Sequence, residues 1–173
     1  MTSIDMGSEA TDRLSSIVSG STYIDMGNPA NESGTITSVE LWFTFNAETV
    51  KVATFSKSGT TFTPRAVATI GAVAKAAKRT FAVSLAVASG DYIGIYFSSG
   101  QLDRSTSGGS GVYYKSGDNT GAAGSYALED GHAISVYATG STATVWAGTF
   151  IGLTSPEKNI GLAGADTNNV CGV

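Results

Sequence analysis

Between Thr80 and Ala88 the chain alternates without a break: Phe81, Val83, Leu85 and Val87 stand against Thr80, Ala82, Ser84, Ala86 and Ala88. Gly90–Phe97 repeats the pattern, with Ile93, Ile95 and Phe97 against Tyr92, Gly94 and Tyr96. A period of two is that of a half-buried antiparallel strand, so the pair predicts a hairpin turned by Ser89-Gly90-Asp91. Upstream, a strand is expected over Thr35–Phe45, with Val39, Leu41, Phe43 and Phe45 on one face and Glu40, Trp42 and Thr44 on the other. Thr49–Phe55 follows, then a turn at Ser56–Thr60, then Thr61–Ala68 and a weaker strand over Thr69–Ala74. Pro64 makes its strand an edge or an interrupted one, because proline has no N–H for a ladder. Downstream, Ser98–Gly111 reads as a surface loop, Val112-Tyr113-Tyr114 as a short strand and Ser116–Gly124 as a second loop. Further strands are expected over Ala133–Thr139 and Thr142–Phe150.

Eight to ten short strands with regularly spaced turns predict an all-β, two-sheet antiparallel β-sandwich of jelly-roll type, with a closed barrel as the structural alternative. Residues 1–34 read as an N-terminal arm and first strand, 35–150 as the sandwich domain, and 151–173 as a docking tail. Within the first part Arg13–Ser21 is poor in apolar residues and reads as an arm or loop. Ile4-Asp5-Met6-Gly7 recurs as Ile24-Asp25-Met26-Gly27. One echo does not make a repeat architecture; chance and two similar strand-to-turn corners both account for it.

Composition narrows the chemistry. Charged residues make up 14% and hydrophobic ones 42%, a mixture that suits strands and small-residue turns and lacks helix-forming runs. A net charge of −4 argues against nucleic acid as a partner, since phosphates call for clustered Lys and Arg. No stretch is apolar enough to insert in a membrane, and the opening residues have no signal-peptide pattern. The chain is therefore expected to be intracellular when made, to be delivered outside by lysis or a non-standard route, or to be given without its leader. Cys171 is the sole cysteine and His132 the sole histidine, so a disulfide framework and a zinc site are not expected, nor is any cofactor. A serine triad around His132, or paired carboxylates among Glu40, Glu48, Glu129, Asp91 and Asp130, would need a placement the sequence does not give. The expectation is no enzymatic activity. Asp118-Asn119, Glu129-Asp130 and Asp103 are candidate calcium ligands, and ordinary Asx turns are the favoured reading.

The positive signal is aromatic. Trp42, Tyr92, Tyr96, Tyr113 and Tyr114 are candidate stacking residues for sugar rings, because an aromatic face buries apolar area beside polar edges. The competing reading is that these side chains are covered by another layer or another subunit.

The run Ile24–Glu40, which reads Ile-Asp-Met-Gly-Asn-Pro-Ala-Asn-Glu-Ser-Gly-Thr-Ile-Thr-Ser-Val-Glu, followed by Gly90-Asp91-Tyr92-Ile93-Gly94-Ile95-Tyr96, resembles uncharacterised sandwich proteins from phage and environmental sequences. The resemblance covers about the middle two thirds of the chain and rests on turn and core positions. It implies a virion-associated or surface-displayed β-sandwich and brings no catalytic residues. Two functions are therefore expected. The first is a structural or adhesive virion protein (head decoration, tail or fibre) that self-assembles or binds other virion proteins through its terminal segments. The second is a carbohydrate-binding module that recognises a surface glycan.

Overall fold

The computed structural model describes residues 1–142. The strand expected over 142–150, its first residue apart, and the 151–173 tail with Cys171 lie outside the described residues. The described chain is all-β, with no helix, and its thirteen strands join in one large antiparallel sheet. They are β1 (Ser3–Ser8), β2 (Ser15–Val18), β3 (Ser21–Asp25), β4 (Gly34–Ser58), β5 (Thr61–Val73), β6 (Lys78–Val87), β7 (Tyr92–Tyr96), β8 (Ser99–Ser105), β9 (Val112–Ser116), β10 (Gly124–Ser125), β11 (Ala127–Glu129), β12 (Ala133–Ile134) and β13 (Val136–Ser141).

β4 organises everything else. The strands expected over Thr35–Phe45 and Thr49–Phe55 are one 25-residue strand, carried through the intervening residues by register shifts and by a positive φ of 50° at Thr49. Along one side of β4 run β5, opposite Ala47–Ser58, and then β6, opposite Gly34–Trp42. The Ala76 N–H donates to the Phe43 carbonyl where one gives way to the other. Along the other side lie β13, β8 and β7 in turn. The separate strands expected over Thr61–Ala68 and Thr69–Ala74 are likewise one strand, β5. Its register slips beside Pro64, as a residue without an N–H requires.

The alternation of Thr80–Phe97 gives two strands, as expected, but not a hairpin. β6 pairs the first half of β4, whereas β7 pairs its second half and β3. The Ser89-Gly90-Asp91 turn therefore carries the chain from the first half of β4 to its second half. Gly90 supplies a φ of 86°, and buried Asp91 accepts hydrogen bonds from the Ala88 N–H and the Arg65 guanidinium. A periodic pattern reports which side of a strand is buried; it does not report the neighbour.

Two segments, one expected to be an arm or loop and the other a surface loop, each contain a strand. β2 lies within Arg13–Ser21 and pairs β8, which lies within Ser98–Gly111 and pairs the middle of β4. Polar β8 is held by side chains: Asp103 is buried, with the Thr44 hydroxyl and the Arg13 N–H on its carboxylate. Residues 1–34 carry three strands, with β1 on β13 and β3 between β7 and β9. The two Ile-Asp-Met-Gly copies meet: the Ser8 hydroxyl donates to Asp25 at 2.9 Å, and the Gly7 N–H to the Asn28 carbonyl at 2.8 Å.

The main core gathers Ile4, Met6, Val39, Leu41, Phe43, Val52, Ile93, Ile95, Phe97 and Val136, from β1, both halves of β4, β7 with the residue after it, and β13. A second, smaller cluster of Ile24, Ala53, Phe55, Phe62 and Tyr126 uses the opposite face of β3 and of the second half of β4. Among the described residues no helix is long and apolar enough to cross a membrane, which leaves membrane crossing by strands unaddressed.

Candidate functional site

The five candidate aromatics are dispersed over three surfaces. Trp42 is half-buried at the end of the β4–β6 ladder, opposite Lys78. Tyr92, Gly94 and Tyr96 share a face of β7, and the chain covers part of that face itself. Phe62 packs edge-on to Tyr92 with ring centres 6.4 Å apart, and Phe55 fills the space over Gly94. Tyr113 joins this group at 4.9 Å from Phe62, while Tyr96 stands half-buried opposite Lys51. Tyr126, which no periodic pattern in the sequence marks out, is the most buried tyrosine of the cluster, 5.2 Å from Phe62. Burial, with the Asp118 charge as a smaller contribution, pushes its hydroxyl up to about 12, and its buried oxygen has no hydrogen-bond partner.

Tyr114 belongs to the other face. Consecutive strand residues point to opposite sides, so while Tyr113 meets Phe62, Tyr114 lies over Tyr23, with ring centres 6.5 Å apart and planes 30° apart. Tyr23 stacks on Phe97, and Phe97 meets Phe43 edge-on at 5.2 Å, which makes a continuous aromatic row from the main core to the surface. Tyr114 is its outermost member, 36% exposed. Burial raises the Tyr23 hydroxyl, which donates to the Val18 carbonyl at 2.8 Å.

A polar cluster stands beside that row. Arg104 Nη1 donates to Glu129 Oε2 at 2.9 Å, and His132 Nδ1 lies 2.9 Å from the same oxygen. The strands explain the meeting: Arg104 is on β8, Glu129 on β11, and His132 immediately precedes β12, which pairs β8 at Arg104. The Arg104 Nε is buried without a hydrogen-bond partner. A cleft of about 250 Å³ opens next to Arg104 and Glu129, walled by Ser16, Ile17, Val18, Tyr23 and Tyr114. His132 Nδ1 also lies 3.5 Å from Arg104 Nη1, and no serine bonds to His132 among the described residues. The signal in the sequence is the Glu129-Asp130-Gly131-His132 run; its convergence with Arg104 depends on the β8–β12 pairing.

The candidate calcium carboxylates point to different partners. Burial acts to raise Asp118, but Lys51 Nζ at 2.6 Å and both the N–H and hydroxyl of Thr120 bond it, and together they hold it below the ordinary carboxylate range. Glu129 and Asp103 are engaged as described above. Among the described residues no group of three or more His, Cys, Asp or Glu is placed to hold a metal ion. A second cleft, of about 310 Å³, runs along the face of β5 between Lys51, Val67, Thr69 and the Asp118–Ala122 segment. Comparison with known proteins adds no identity: no family model and no curated protein matches the chain.

Proposed function

We propose that this protein is a non-enzymatic, self-assembling structural unit of a phage virion, built as a two-layer jelly-roll-type sandwich. The layered reading draws on the core, in which both halves of β4 contribute buried residues, and on the Thr54 hydroxyl reaching the Ala86 carbonyl at 2.7 Å. One layer then holds β1, β13, the start of β4 and β6, and the other β5, the end of β4, β7, β3, β9 and β11. The resemblance of Ile24–Glu40 and Gly90–Tyr96 to uncharacterised sandwich proteins from phage and environmental sequences supports the virion setting.

The observation that carries the assembly reading is the outer edge of β6. Among the described residues β6 pairs only β4, so its other side carries no ladder. From Thr80 to Val87 that edge has no charge and no proline, two of the devices that guard an open strand. β5, beside it, carries Pro64 and Arg65 as well as an irregularity at Gly71, whereas β6 has a single register shift, between Ala82 and Leu85, and neither a proline nor a charge from Thr80 on. An open edge of eight uncharged residues matches pairing with β6 of a second copy, the same patch meeting itself around a twofold axis.

Sedimentation of the full chain over a range of concentrations tests this. Dimers or larger species are expected, and the double variant Ala82→Lys/Ser84→Lys, at two exposed positions of β6, is expected to run as a folded monomer. A chain that stays monomeric throughout, or an oligomer unchanged by both lysines, would sink the proposal.

A further inference from the structure

We propose that the cleft between β2, β3, β9 and β11 binds a neutral pyranose sugar, stacked on Tyr114 and hydrogen-bonded through Glu129. The site is independent of β6, so its test and that of assembly fail separately.

The cleft exists because two consecutive strands part company. β2 and β3 are separated only by Ser19 and Gly20, where φ is 90°, yet β2 joins β8 while β3 joins β7 and β9. The gap between the two groups is lined by Ser16–Val18 and Arg104 on the β2–β8 side and by Ser21, Tyr23, Tyr114 and Glu129 on the β3–β9–β11 side. Its volume of about 250 Å³ admits one sugar ring, less than the space a drug-sized molecule needs.

Charge and hydrogen bonding select the ligand class. Arg104 and Glu129 are paired with each other, so the cleft carries one positive and one negative group and no excess to attract an ion. Two of the four hydroxyls that line the cleft are already used: Tyr23 donates to the Val18 carbonyl, and Ser16 donates to Gln101 at 2.7 Å. Tyr23 therefore offers ring surface alone, and Tyr114, the one open to solvent, offers its ring beside its hydroxyl. Glu129 offers an acceptor. Its Oε2 receives Arg104 and His132, while Oε1 makes no hydrogen bond among the described residues, and the side chain is one-third exposed. A ligand matched to this wall is uncharged, has an apolar face to lay on a tyrosine and carries hydroxyls to donate at its rim. A pyranose has the C–H face and the equatorial hydroxyls in that arrangement, and the Arg104–His132 bracket holds the accepting carboxylate in place.

The experiment uses the full chain with methyl glucoside, methyl galactoside and methyl mannoside as neutral probes and glucuronate as the charged one, observed by saturation-transfer and amide-shift NMR. At least one neutral glycoside is expected to receive saturation, with amide shifts confined to Ser16–Val18, Tyr23, Tyr114 and Glu129. Tyr114→Ala and Glu129→Gln are each expected to weaken its binding about tenfold or more, and Tyr114→Phe to retain it, since the ring is kept. Trp42→Ala and Tyr113→Ala, on other surfaces, are expected to bind as the parent does. The proposal is overturned if no neutral glycoside receives saturation, if only glucuronate does, or if binding survives both Tyr114→Ala and Glu129→Gln.

Discussion

Burial and hydrogen bonding pull the Asp25 carboxyl in opposite directions. It is fully buried, which raises it, while the Ile134 and Gly27 N–H groups and the Ser8 hydroxyl donate to it and lower it; burial wins, and the group sits above the ordinary carboxylate range. A raised folded value means that the native state holds this proton more tightly than the unfolded chain does. Its contribution to stability is then complete below the unfolded value and is lost as pH rises through the folded one. Chemical denaturation at a series of pH values is therefore expected to show the stability of the parent falling relative to Asp25→Asn over that interval. A constant difference, or one growing with pH, would contradict the burial argument. At neutral pH the Asp25→Asn variant is still expected to be the less stable, by about 1–3 kcal/mol, because an amide N–H₂ in place of one carboxylate oxygen cannot accept from the Ile134 N–H or from the Gly27 and Ser8 donors. Thr49 is a second strained point: a β-branched residue at φ 50° inside β4. Asparagine tolerates that region better, so Thr49→Asn is expected to raise the denaturation midpoint, by about 0.5–1 kcal/mol in stability.

β7 illustrates how an element can be read correctly and placed wrongly. Ile93, Ile95 and Phe97 are core, as alternation required, yet Gly94 on the opposite face is buried too. The reason is lateral and invisible to periodicity: β7 sits between β3 and β4, and a methyl at Gly94 would come within 2.6 Å of the Phe55 ring and 2.9 Å of the Tyr23 carbonyl. Gly94→Ala is thus expected to cost about 1–3 kcal/mol through overpacking, measured by thermal or denaturant unfolding, where Gly121, with open space around it and no positive φ, would cost little on steric grounds. The same distinction separates what is legible from what is not. Strand positions with alternating aliphatic residues, such as those of β6 and β7, declare themselves. β2 and β8 do not, because Ser15-Ser16 and Gln101-Leu102-Asp103-Arg104 owe their places to hydrogen bonds from Arg13, Thr44 and Ser135 that join residues far apart in sequence. The candidate site divides along this line. Tyr114 stands out by its type, whereas Tyr23, Arg104 and Glu129 become its neighbours only through pairing among β3, β8, β9, β11 and β12.

At the scale of the molecule the question is whether the first residues are an arm or a structural member. An arm poor in long apolar runs is a fair expectation from composition, but β1 pairs β13 along its whole length, from Ser3 opposite Ser141 to Ser8 opposite Val136. Ile4, Met6 and Ala10 are completely buried, and Arg13 ties the following segment down by bonding Ser135, Ser105 and the Glu9 carbonyl. Deleting residues 1–10 would strip two large core side chains and bare the edge of β13. Loss of a buried Ile or Met side chain costs about 2–5 kcal/mol in other cores, against a typical total stability of about 5–15 kcal/mol. The truncated chain is accordingly expected to lose its cooperative thermal transition and its dispersed amide spectrum, and Ile4→Ala alone to keep both with a lowered midpoint. Should the truncated chain instead melt cooperatively near the parent's midpoint, residues 1–10 would be a detachable arm. Their burial against β13 and β4 would then contribute nothing the rest of the sheet does not supply. Assembly gives an independent check on that outcome: β1 and β6 lie on opposite sides of the β13–β4 pair, so an intact truncated chain would still expose the β6 edge and still associate through it.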